Sequence, residues 1–271
     1  MIRSFVHTDF PLELLLERKT APISVVLPAR EVSDTVGSIV DRVLALEGLA
    51  DQVLVVDAGS RDGTAEVAAR AGAEVVQEAE LMPEFGPVLG KGDAMWRALS
   101  AVQCELVVFV DSDTRDFPAH FVTGLVGPLL LHSGVRFVKG AYARDGGRVT
   151  ELTARPLLRT FYPDLAGFAQ PLAGEVAAPR DLFERIPFRT GYAVEVGMLL
   201  DARELVGIDA MAQVDIVERI NPHQPLSALG PMAAAVVETV SERLHREGRL
   251  RDPVEVSVVE RPPLASLRTA A

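Results

Sequence analysis

Two carboxylates in the sequence are placed to bind one cation. Asp111-Ser112-Asp113 follows directly after the apolar run Leu106 to Val110, which predicts a buried strand. Carboxylates one residue apart in a turn can face a single hard cation, because such ions prefer oxygen ligands. The cation can bridge the two phosphates of a nucleoside diphosphate and offset the charge that develops as this group departs. Acidic surface loops are common, so the prediction depends on the position of this triplet after a strand.

A second acidic loop, Asp57 to Thr64, reads DAGSRDGT and follows the apolar run Gln52 to Val56. Asp57 ends the predicted strand, where its carboxylate can accept a hydrogen bond from a base or a ribose. Asp62 or Ser60 can cap the next helix. An ordinary connector between a strand and a helix also explains the glycines and the cap.

A lysine flanked by glycines, in Gly90-Lys91-Gly92-Asp93, lies between a predicted strand and a predicted helix. Glycine lets the backbone approach a ligand closely, and the ammonium group can bind a diphosphate as a point charge. The segment lacks the GxxxxGK[ST] spacing of a P-loop. An exposed lysine in a turn is the alternative interpretation.

Three further segments combine ligand-binding groups with ordinary structural roles. Gly146 to Thr150 places a flexible turn, a guanidinium and a hydroxyl at the start of a helix, which suits either an anion site or a hairpin turn with a helix cap. Glu195 can face the site or simply favour the N-terminus of its helix. His223, in a proline-bounded loop, is either a metal ligand or an exposed side chain.

Strand and helix signals alternate between residues 23 and 111. The predicted strands are short β-branched runs, and the predicted helices carry apolar residues at helical spacing. The strands are Ile23 to Leu27, Gln52 to Val56, Ala73 to Gln77 and Leu106 to Val110; the helices are Ser33 to Leu46, Gly63 to Ala71 and Lys91 to Ala101. Such units imply an α/β fold with a parallel sheet and helices on both faces, and ligands bind such sheets beyond the carboxyl ends of the strands.

After about residue 135 the alternation becomes irregular. The predicted elements are strand Val135 to Ala143, helix Thr150 to Phe161, a loop at Gln170 to Glu175 followed by a helix within Ala177 to Arg185, helix Tyr192 to Leu205, strand Ala212 to Arg219 and helix Leu226 to Glu247. At the N-terminus, Asp9 predicts the cap of a short helix that contains Pro11. The proline-containing C-terminal residues predict a tail.

The composition limits the class of partner. The chain has 271 residues and a formal net charge of −11, which argues against nucleic acid as a partner. Its one cysteine, Cys104, cannot form an internal disulfide, so we expect a cytoplasmic protein. The sequence has no signal-peptide pattern and no run of about 18 apolar residues, so we expect no membrane span.

Several motifs in order resemble the retaining glycosyltransferases that make glucosyl-3-phosphoglycerate in actinobacteria, and their mannosyl-3-phosphoglycerate relatives. The matching segments are ISVVLPA, VVDAGSRDGT, LGKGDAMWRAL, FVDSDT, GRVTELTARPLL, QPLAGEVAA, GYAVEVGMLLD and AQVD, spread over about 200 residues. The first, second and fourth are general to transferases with the GT-A fold. GRVTEL, QPLAGE and GYAVEVG are much narrower and favour the specific acceptor.

The resemblance implies a GT-A glycosyltransferase fold, with a Rossmann-like, mostly parallel sheet and a C-terminal acceptor lobe. With the change in alternation near residue 135 as a boundary, the chain divides into an N-terminal arm (1–22), a nucleotide-sugar-binding half (23–134), an acceptor-binding half (135–250) and a C-terminal tail (251–271). The resemblance further implies transfer of glucose from a nucleotide-sugar, with UDP-glucose favoured, to 3-phosphoglycerate, which yields glucosyl-3-phosphoglycerate and a nucleoside diphosphate. A homodimer is also implied.

The roles implied for individual residues follow from the aligned motifs. The donor would contact Pro28, Ala29, Glu31, Asp57, Ser60, Lys91, Asp111, Ser112 and Tyr192. The acceptor would contact Gly147, Arg148 and Thr150. Mg²⁺ or Mn²⁺ would be held by Asp113 and His223, and the residues closest to catalysis would be Asp113, Glu195, Lys91 and Arg219.

Two departures from the family pattern keep alternatives open. Arg30-Glu31-Val32 replaces the usual Asn-Glu pair, and Asn221 stands where the family has its metal-binding histidine, so either His223 or Asn221 serves the metal. The remaining alternatives are mannosyl transfer from GDP-mannose, a polyprenyl phosphate acceptor, and a nucleotide-sugar-binding module without catalysis. A nucleotidyltransferase is disfavoured, because the loop after the first strand has no glycine before Gly37.

Overall fold

A computed structural model describes residues 2–143, 147–218, 225–252 and 258–268. Eight strands form the central sheet: Arg3–Val6 (β1), Ile23–Ala29 (β2), Gln52–Asp57 (β3), Glu74–Gln77 (β4), Leu106–Phe109 (β5), Phe137–Ala143 (β6), Val176–Pro179 (β7) and, further along the chain, Met211–Glu218 (β9). Their spatial order is β1-β9-β6-β7-β5-β2-β3-β4. Phe188–Arg189 (β8) and Glu260–Arg261 (β10) form a separate antiparallel pair.

Ten helices accompany the strands in the described part of the chain. They are Leu12–Arg18 (α1), Val36–Leu44 (α2), Thr64–Arg70 (α3), Lys91–Ala98 (α4), His120–Leu131 (α5), Arg155–Phe161 (α6), Arg180–Arg185 (α7), Val194–Val206 (α8), Leu226–Arg246 (α9) and Leu264–Arg268 (α10). None of these helices is both long and apolar enough to cross a membrane.

The predicted α/β architecture with a mostly parallel sheet is confirmed. Strand β2 lies between β3 and β5 and runs parallel to both. Alternate residues of β2 enter different apolar clusters: Val26 belongs to one, and Val25 and Leu27 belong to the other. Because successive side chains of a strand point to opposite faces, the sheet has a buried core on each side.

Strand β7 was not predicted, because the sequence favoured a helix over Ala177 to Arg185. The strand runs antiparallel between β5 and β6, and only α7 continues as a helix. A run of four apolar residues is too short to distinguish strand from helix by its periodicity. The strand brings the preceding loop, residues 170–175, toward the end of β5 that carries Asp111.

The N-terminal residues add an edge strand to the sheet instead of forming only a capped helix. Strand β1 pairs in parallel with β9, about 200 positions later in the chain. Asp9 accepts a hydrogen bond from the backbone of Val6, and α1 begins only after Pro11. Helix α5, which the sequence analysis did not predict, spans an apolar segment that contains Pro128.

Part of the predicted C-terminal tail packs onto the fold. Residues 258–268 contain β10 and α10, and Leu264 at the start of α10 is buried in the core. The central sheet takes strands from both predicted halves of the chain, so the proposed boundary near residue 135 does not separate two sheets. The division into donor and acceptor halves remains a prediction.

Candidate functional site

The predicted donor-binding loops lie together at the carboxyl ends of β2, β3 and β5. Ala29 and Asp57 are register partners where β2 and β3 end. The Ser112 hydroxyl donates to the Pro28 carbonyl oxygen at 2.6 Å, and Thr35 Oγ1 donates to the Ser112 carbonyl oxygen at 2.6 Å. Because parallel strands end at the same edge of a sheet, three loops far apart in sequence share this edge.

Asp57 lies at the base of a connected group of polar residues. Its Oδ2 accepts the backbone N–H of Ser60 at 3.1 Å, and the Ser60 hydroxyl accepts the N–H of Glu31 at 2.9 Å. Asp57 is buried, and its Oδ1 has no hydrogen-bond partner among the described residues. A buried carboxylate oxygen without a donor is costly, so this atom is suited to accept an N–H or O–H from a bound ligand.

Glu31 holds an unusual backbone conformation between the first two loops. Its φ of 52° is in the left-handed region, which is uncommon for a residue other than glycine. The backbone N–H of Arg61 donates to Glu31 Oε1 at 2.9 Å, in addition to the contact with Ser60. Glu31 therefore links the loops after β2 and β3, at the position where the family pattern has an Asn-Glu pair.

Asp62 has a structural role in the same region. Its Oδ1 accepts the N–H and hydroxyl of Thr64 at 3.0 and 2.6 Å, and its Oδ2 accepts the N–H of Ser33 at 2.9 Å. These hydrogen bonds, led by the Thr64 hydroxyl, lower the pKa of Asp62 to about 2. Asp62, one of the two residues considered as a helix cap, thus joins the two loops.

Lys91 forms two ion pairs that span the site. Its Nζ lies 2.5 Å from Asp111 Oδ1, which follows β5, and 2.9 Å from Glu195 Oε1 in the first turn of α8. Burial by itself would lower the pKa of Lys91, but the two carboxylates outweigh this effect and hold the pKa above its ordinary value. The ammonium group is therefore charged, partly exposed and adjacent to the loop that carries the Asp-Ser-Asp triplet.

Lys91, Asp111 and Glu195 form a group that we call the Lys91 cluster. Close backbone approaches keep this cluster compact. A side chain on Gly174 would place its Cβ 2.3 Å from Asp111 Oδ1, so this position of the 170–175 loop requires glycine. Gly191 N–H donates to the Leu89 carbonyl oxygen at 3.1 Å, and a Cβ on Gly90 would lie 3.3 Å from the Cα of Gly191. The segments that carry Lys91 and Glu195 are thus held against each other.

A second lysine near these carboxylates is buried and was not predicted. Lys139 on β6 donates to the Ala173 carbonyl oxygen at 2.7 Å. Burial lowers the pKa of Lys139 to about 8, and the carboxylates of Glu195 and Glu175 oppose this decrease. Glu175 is fully buried and lies in the QPLAGE segment. A charged residue within an apolar strand was the available sequence signal.

Of the two predicted metal ligands, Asp113 lies among the described residues and His223 does not. Asp113 is partly exposed, in the same loop as Asp111 of the Lys91 cluster, so a cation can reach its carboxylate. Within residues 2–143, 147–218, 225–252 and 258–268, no three His, Cys, Asp or Glu side chains converge on one cation site. Arg219, Asn221 and His223 lie outside the described residues, so their roles remain predictions.

The predicted acceptor residues lie at the start of an irregular helix. Gly147 has a φ of 37°, Arg148 is partly exposed, and Thr150 is buried. A π-helical segment, Thr150–Ala154, precedes α6, and π-helical turns occur frequently at functional sites. Tyr192 lies on the short turn Gly191–Ala193 before α8 and is 54% exposed. These residues keep their predicted roles as proposals.

Comparisons with known proteins agree in both sequence and structure. A family model, Glycosyl transferase family 2, matches residues 24–156. A glucosyl-3-phosphoglycerate synthase from Mycolicibacterium paratuberculosis is 40% identical over 288 aligned positions, which cover 94% of this chain and 88% of the relative. The crystal structure of mannosyl-3-phosphoglycerate synthase from Rubrobacter xylanophilus matches with a TM-score of 0.95 and 49% identity, over 98% of this chain and 97% of the other.

A third relative has been solved with ligands. The crystal structure of glucosyl-3-phosphoglycerate synthase from Mycobacterium tuberculosis in complex with Mn²⁺, UDP-glucose and phosphoglyceric acid matches with a TM-score of 0.90 and 40% identity, over 98% of this chain and 99% of the other. The same enzyme has been solved with Mg²⁺ and UDP. Identity at this level over nearly the whole of each chain, together with the donor-side geometry, is sufficient to assign the family. This chain belongs to the glucosyl-3-phosphoglycerate synthase family of glycosyltransferases.

Proposed function

We propose that this protein transfers glucose from UDP-glucose to 3-phosphoglycerate, with glucosyl-3-phosphoglycerate and UDP as products. The observation that carries the proposal is the Lys91 cluster, in which an ammonium group bridges Asp111 and Glu195 at the carboxyl end of the sheet. In a chain 40% identical to glucosyl-3-phosphoglycerate synthases, this position suits a cation that contacts a nucleoside diphosphate.

Donor binding would use the loops after β2, β3 and β5. Asp57 would accept a hydrogen bond from the base or ribose through its unpartnered Oδ1, and Pro28 and Ala29 would line the same pocket. The charged Lys91 would stabilise the negative charge that develops on the departing diphosphate. Tyr192, on the opposite side, would border the transferred sugar.

The residues present suit a divalent cation. Asp113 offers a partly exposed carboxylate beside a second carboxylate, and oxygen ligands favour Mg²⁺ or Mn²⁺. The remaining ligands would come from the diphosphate, from water and from His223 or Asn221. When bound, the cation would act as a Lewis acid that lowers the charge on the leaving group.

Acceptor binding would use Gly147, Arg148 and Thr150. The guanidinium can hold a phosphate through two hydrogen bonds, and the start of a helix favours an anion. Fixing the phosphate would place the acceptor hydroxyl against the anomeric carbon, on the face from which the diphosphate leaves. Attack from that face retains the anomeric configuration and needs no covalent intermediate.

A donor and acceptor matrix tests this function. Purified protein with Mg²⁺ receives UDP-glucose, GDP-glucose or GDP-mannose, each with and without D-3-phosphoglycerate, and released nucleoside diphosphate is measured by a coupled assay. We expect release from UDP-glucose only when 3-phosphoglycerate is present. Release that does not depend on 3-phosphoglycerate, or no release from any donor, would contradict the proposed acceptor.

Mannosyl transfer is the second candidate. The specific observation in its favour is the match to the Rubrobacter xylanophilus mannosyl-3-phosphoglycerate synthase, which is more similar in sequence than the glucosyl-3-phosphoglycerate synthases compared with it. Preferential release of GDP from GDP-mannose in the same assay would select this candidate. The acceptor assignment would be unchanged.

We also propose a homodimer in the cytoplasm. Helix α9 packs against the π-helical segment, and both expose large apolar side chains: Leu226 is 71% exposed and Leu152 is 76% exposed. Exposed apolar side chains on two elements that are in contact suit a surface covered by a second copy of the chain. The single buried cysteine, Cys104, suits a reducing compartment. Light scattering should give twice the mass of one chain, and Leu226→Glu should shift it toward the monomer.

A further inference from the structure

The C-terminal residues 258–268, which we call the C-terminal clamp, bind both walls of the site. Arg261 on β10 donates Nε to Asp93 Oδ1 at 2.8 Å and Nη2 to Asp93 Oδ2 at 2.9 Å. Asp93 is fully buried in the first turn of α4, two residues after Lys91. Two parallel hydrogen bonds between a guanidinium and a carboxylate fix orientation as well as distance.

Asp93 transmits this contact to the loop that precedes Lys91. Its Oδ2 also accepts the backbone N–H of Leu89 at 2.9 Å, and its Oδ1 accepts Arg97 Nε at 3.3 Å. Arg97 is fully buried and donates to three carbonyl oxygens of the same loop, those of Leu81, Met82 and Gly86. The backbone from residue 81 to Lys91 is therefore anchored through one carboxylate.

The clamp also holds the wall that carries Glu195. Strand β10 pairs with β8, and the Thr190 N–H donates to the Val259 carbonyl oxygen at 2.9 Å. The next residue, Gly191, donates its N–H to the Leu89 carbonyl oxygen at 3.1 Å. The clamp thus contacts the backbone immediately before the Tyr192–Glu195 segment directly, and it reaches the backbone immediately before Lys91 through the Asp93 side chain.

The Asp93 carboxylate lies between two guanidinium groups, those of Arg97 and Arg261. Burial would raise the pKa of Asp93, but the hydrogen bonds from Arg261 and Leu89 outweigh burial and leave the pKa below its ordinary value. The carboxylate therefore stays ionised. Trp96, the only tryptophan, donates Nε1 to the Pro262 carbonyl oxygen at 2.8 Å, so its fluorescence reports whether the clamp is bound.

We propose that Arg261 is a positioning residue for sugar transfer, which holds Lys91 on α4 at ion-pair distance from Glu195 on α8 through its contact with Asp93. The inference rests on the proposed function, in which Lys91 contacts the diphosphate of the donor. Without the two-point contact, the Leu89–Lys91 backbone can move relative to the opposite wall, and the diphosphate loses its aligned cation.

Arg261→Lys is the most selective test, because lysine keeps the charge and cannot make the two-point contact. Arg246→Ala is the matched control: Arg246 pairs with Glu260 of the same strand at 2.7 Å and makes no ion pair with Asp93. Four quantities are measured for each protein: the Kd of UDP with Mg²⁺ by calorimetry, the Kd of 3-phosphoglycerate, the kcat/KM for UDP-glucose, and the emission maximum of Trp96.

We expect Arg261→Lys to weaken UDP binding about tenfold and to lower kcat/KM for UDP-glucose by at least as much. Its 3-phosphoglycerate Kd should match the wild type, as should all four quantities for Arg246→Ala. Because the Arg261 guanidinium lies 5.6 Å from the centre of the Trp96 ring, Arg261→Lys alone should change the Trp96 emission slightly, and only a shift to the emission of an exposed indole indicates a detached clamp. UDP binding equal to that of the wild type would overturn the proposal. If Arg261→Lys detaches the clamp, the UDP Kd of Asp93→Asn decides whether the contact matters. This variant weakens the same contact while Arg261 stays in place.

The same measurements separate this inference from the proposed function. Wild-type protein that binds UDP but produces no UDP from UDP-glucose in the presence of 3-phosphoglycerate would contradict the function alone. The UDP-binding comparison between wild type and Arg261→Lys would then still decide the role of Arg261. Wild-type protein that binds no UDP would overturn both.

Discussion

The two walls of the site are built in different ways. The donor wall consists of loops that directly follow β2, β3 and β5, whose contacts join neighbouring strands of one parallel sheet, and of the first turn of α4, which carries Lys91 and Asp93. The opposite wall consists of the Gly191–Glu195 segment and the C-terminal clamp, and it meets the donor wall through ion pairs between distant residues. Lys91 and Glu195 are 104 positions apart, and Arg261 and Asp93 are 168 positions apart.

This difference shows where the chemistry depends on long-range packing. Each loop of the donor wall follows from its own strand, so the sheet alone brings Asp57 and Asp111 to one edge. Lys91 and Glu195 meet only if α4 and α8 are held at a fixed separation. The proposed transfer therefore takes place at the junction of a locally determined wall and a wall assembled by buried ion pairs.

Removal of the Lys91 ammonium group, which both walls share, should have the largest effect on activity. Lys91→Ala is expected to lower kcat about 10²–10³-fold, because the departing diphosphate loses a charge placed in advance. Lys91→Arg should recover part of this loss. Lys19→Ala is the control, since Lys19 forms a comparable 2.6 Å ion pair with Asp51 away from the site. Steady-state kinetics of both variants is the measurement. If Lys91→Ala is as active as Lys19→Ala, Lys91 has no part in the mechanism.

The packing between the two walls should tolerate no extra volume at Gly92. A Cβ on this residue of α4 would lie 1.8 Å from the Arg189 carbonyl oxygen on β8. Gly92→Ala should therefore lower the free energy of unfolding by about 3 kcal/mol, despite the better helix propensity of alanine. Gly230 on α9 has open space around its Cα, so Gly230→Ala should change that free energy by less than about 1 kcal/mol. Urea unfolding of both variants checks the contrast, which equal stabilities would contradict.

The donor wall was also the part that the sequence predicted well. Strands β2, β3 and β5 and helix α4 begin at the predicted residues, because β-branched runs and helical spacing are local signals. Strands β7 and β10 were missed. Their four and two residues carry no periodicity, and their pairing partners lie far away in the chain.

The same limit applies to individual site residues. Asp57, Lys91 and Asp111 follow recognisable strands, whereas Lys139 is a single charge within an apolar strand, and its neighbours Glu175 and Glu195 come from other elements. Sequence spacing cannot show that these charges meet. Arg261 was assigned to a tail, because the prolines around it resemble those of a linker.

Acceptor binding should depend on the segment that carries Arg148, which precedes the π-helical turn, and should leave the donor wall unaffected. Arg148→Ala is expected to raise the KM for 3-phosphoglycerate about 10–100-fold, because a charge-assisted contact with the phosphate is lost. The KM for UDP-glucose should stay near the wild-type value. Arg159→Ala, an exposed arginine on α6, controls for the change in net charge. An unchanged KM for 3-phosphoglycerate would withdraw the acceptor role of Arg148.

The smallest expected effect concerns the stability of the donor wall at acid pH. Asp62 has a folded-state pKa of about 2, below its ordinary value of 3.8, mainly because it accepts the Thr64 hydroxyl. A lowered carboxyl pKa stabilises the folded state above about pH 4, and this contribution is lost as the pH falls toward 2. Asp62→Asn should therefore be less stable than the wild type near neutral pH, and the difference should shrink in acid. Asp34→Asn, an exposed change of equal charge in the neighbouring loop, is the control, and thermal unfolding between pH 7 and pH 2.5 is the measurement. A stability difference that stays constant over this range would mean that the charge of Asp62 does not contribute to the stability of the contact between the two loops.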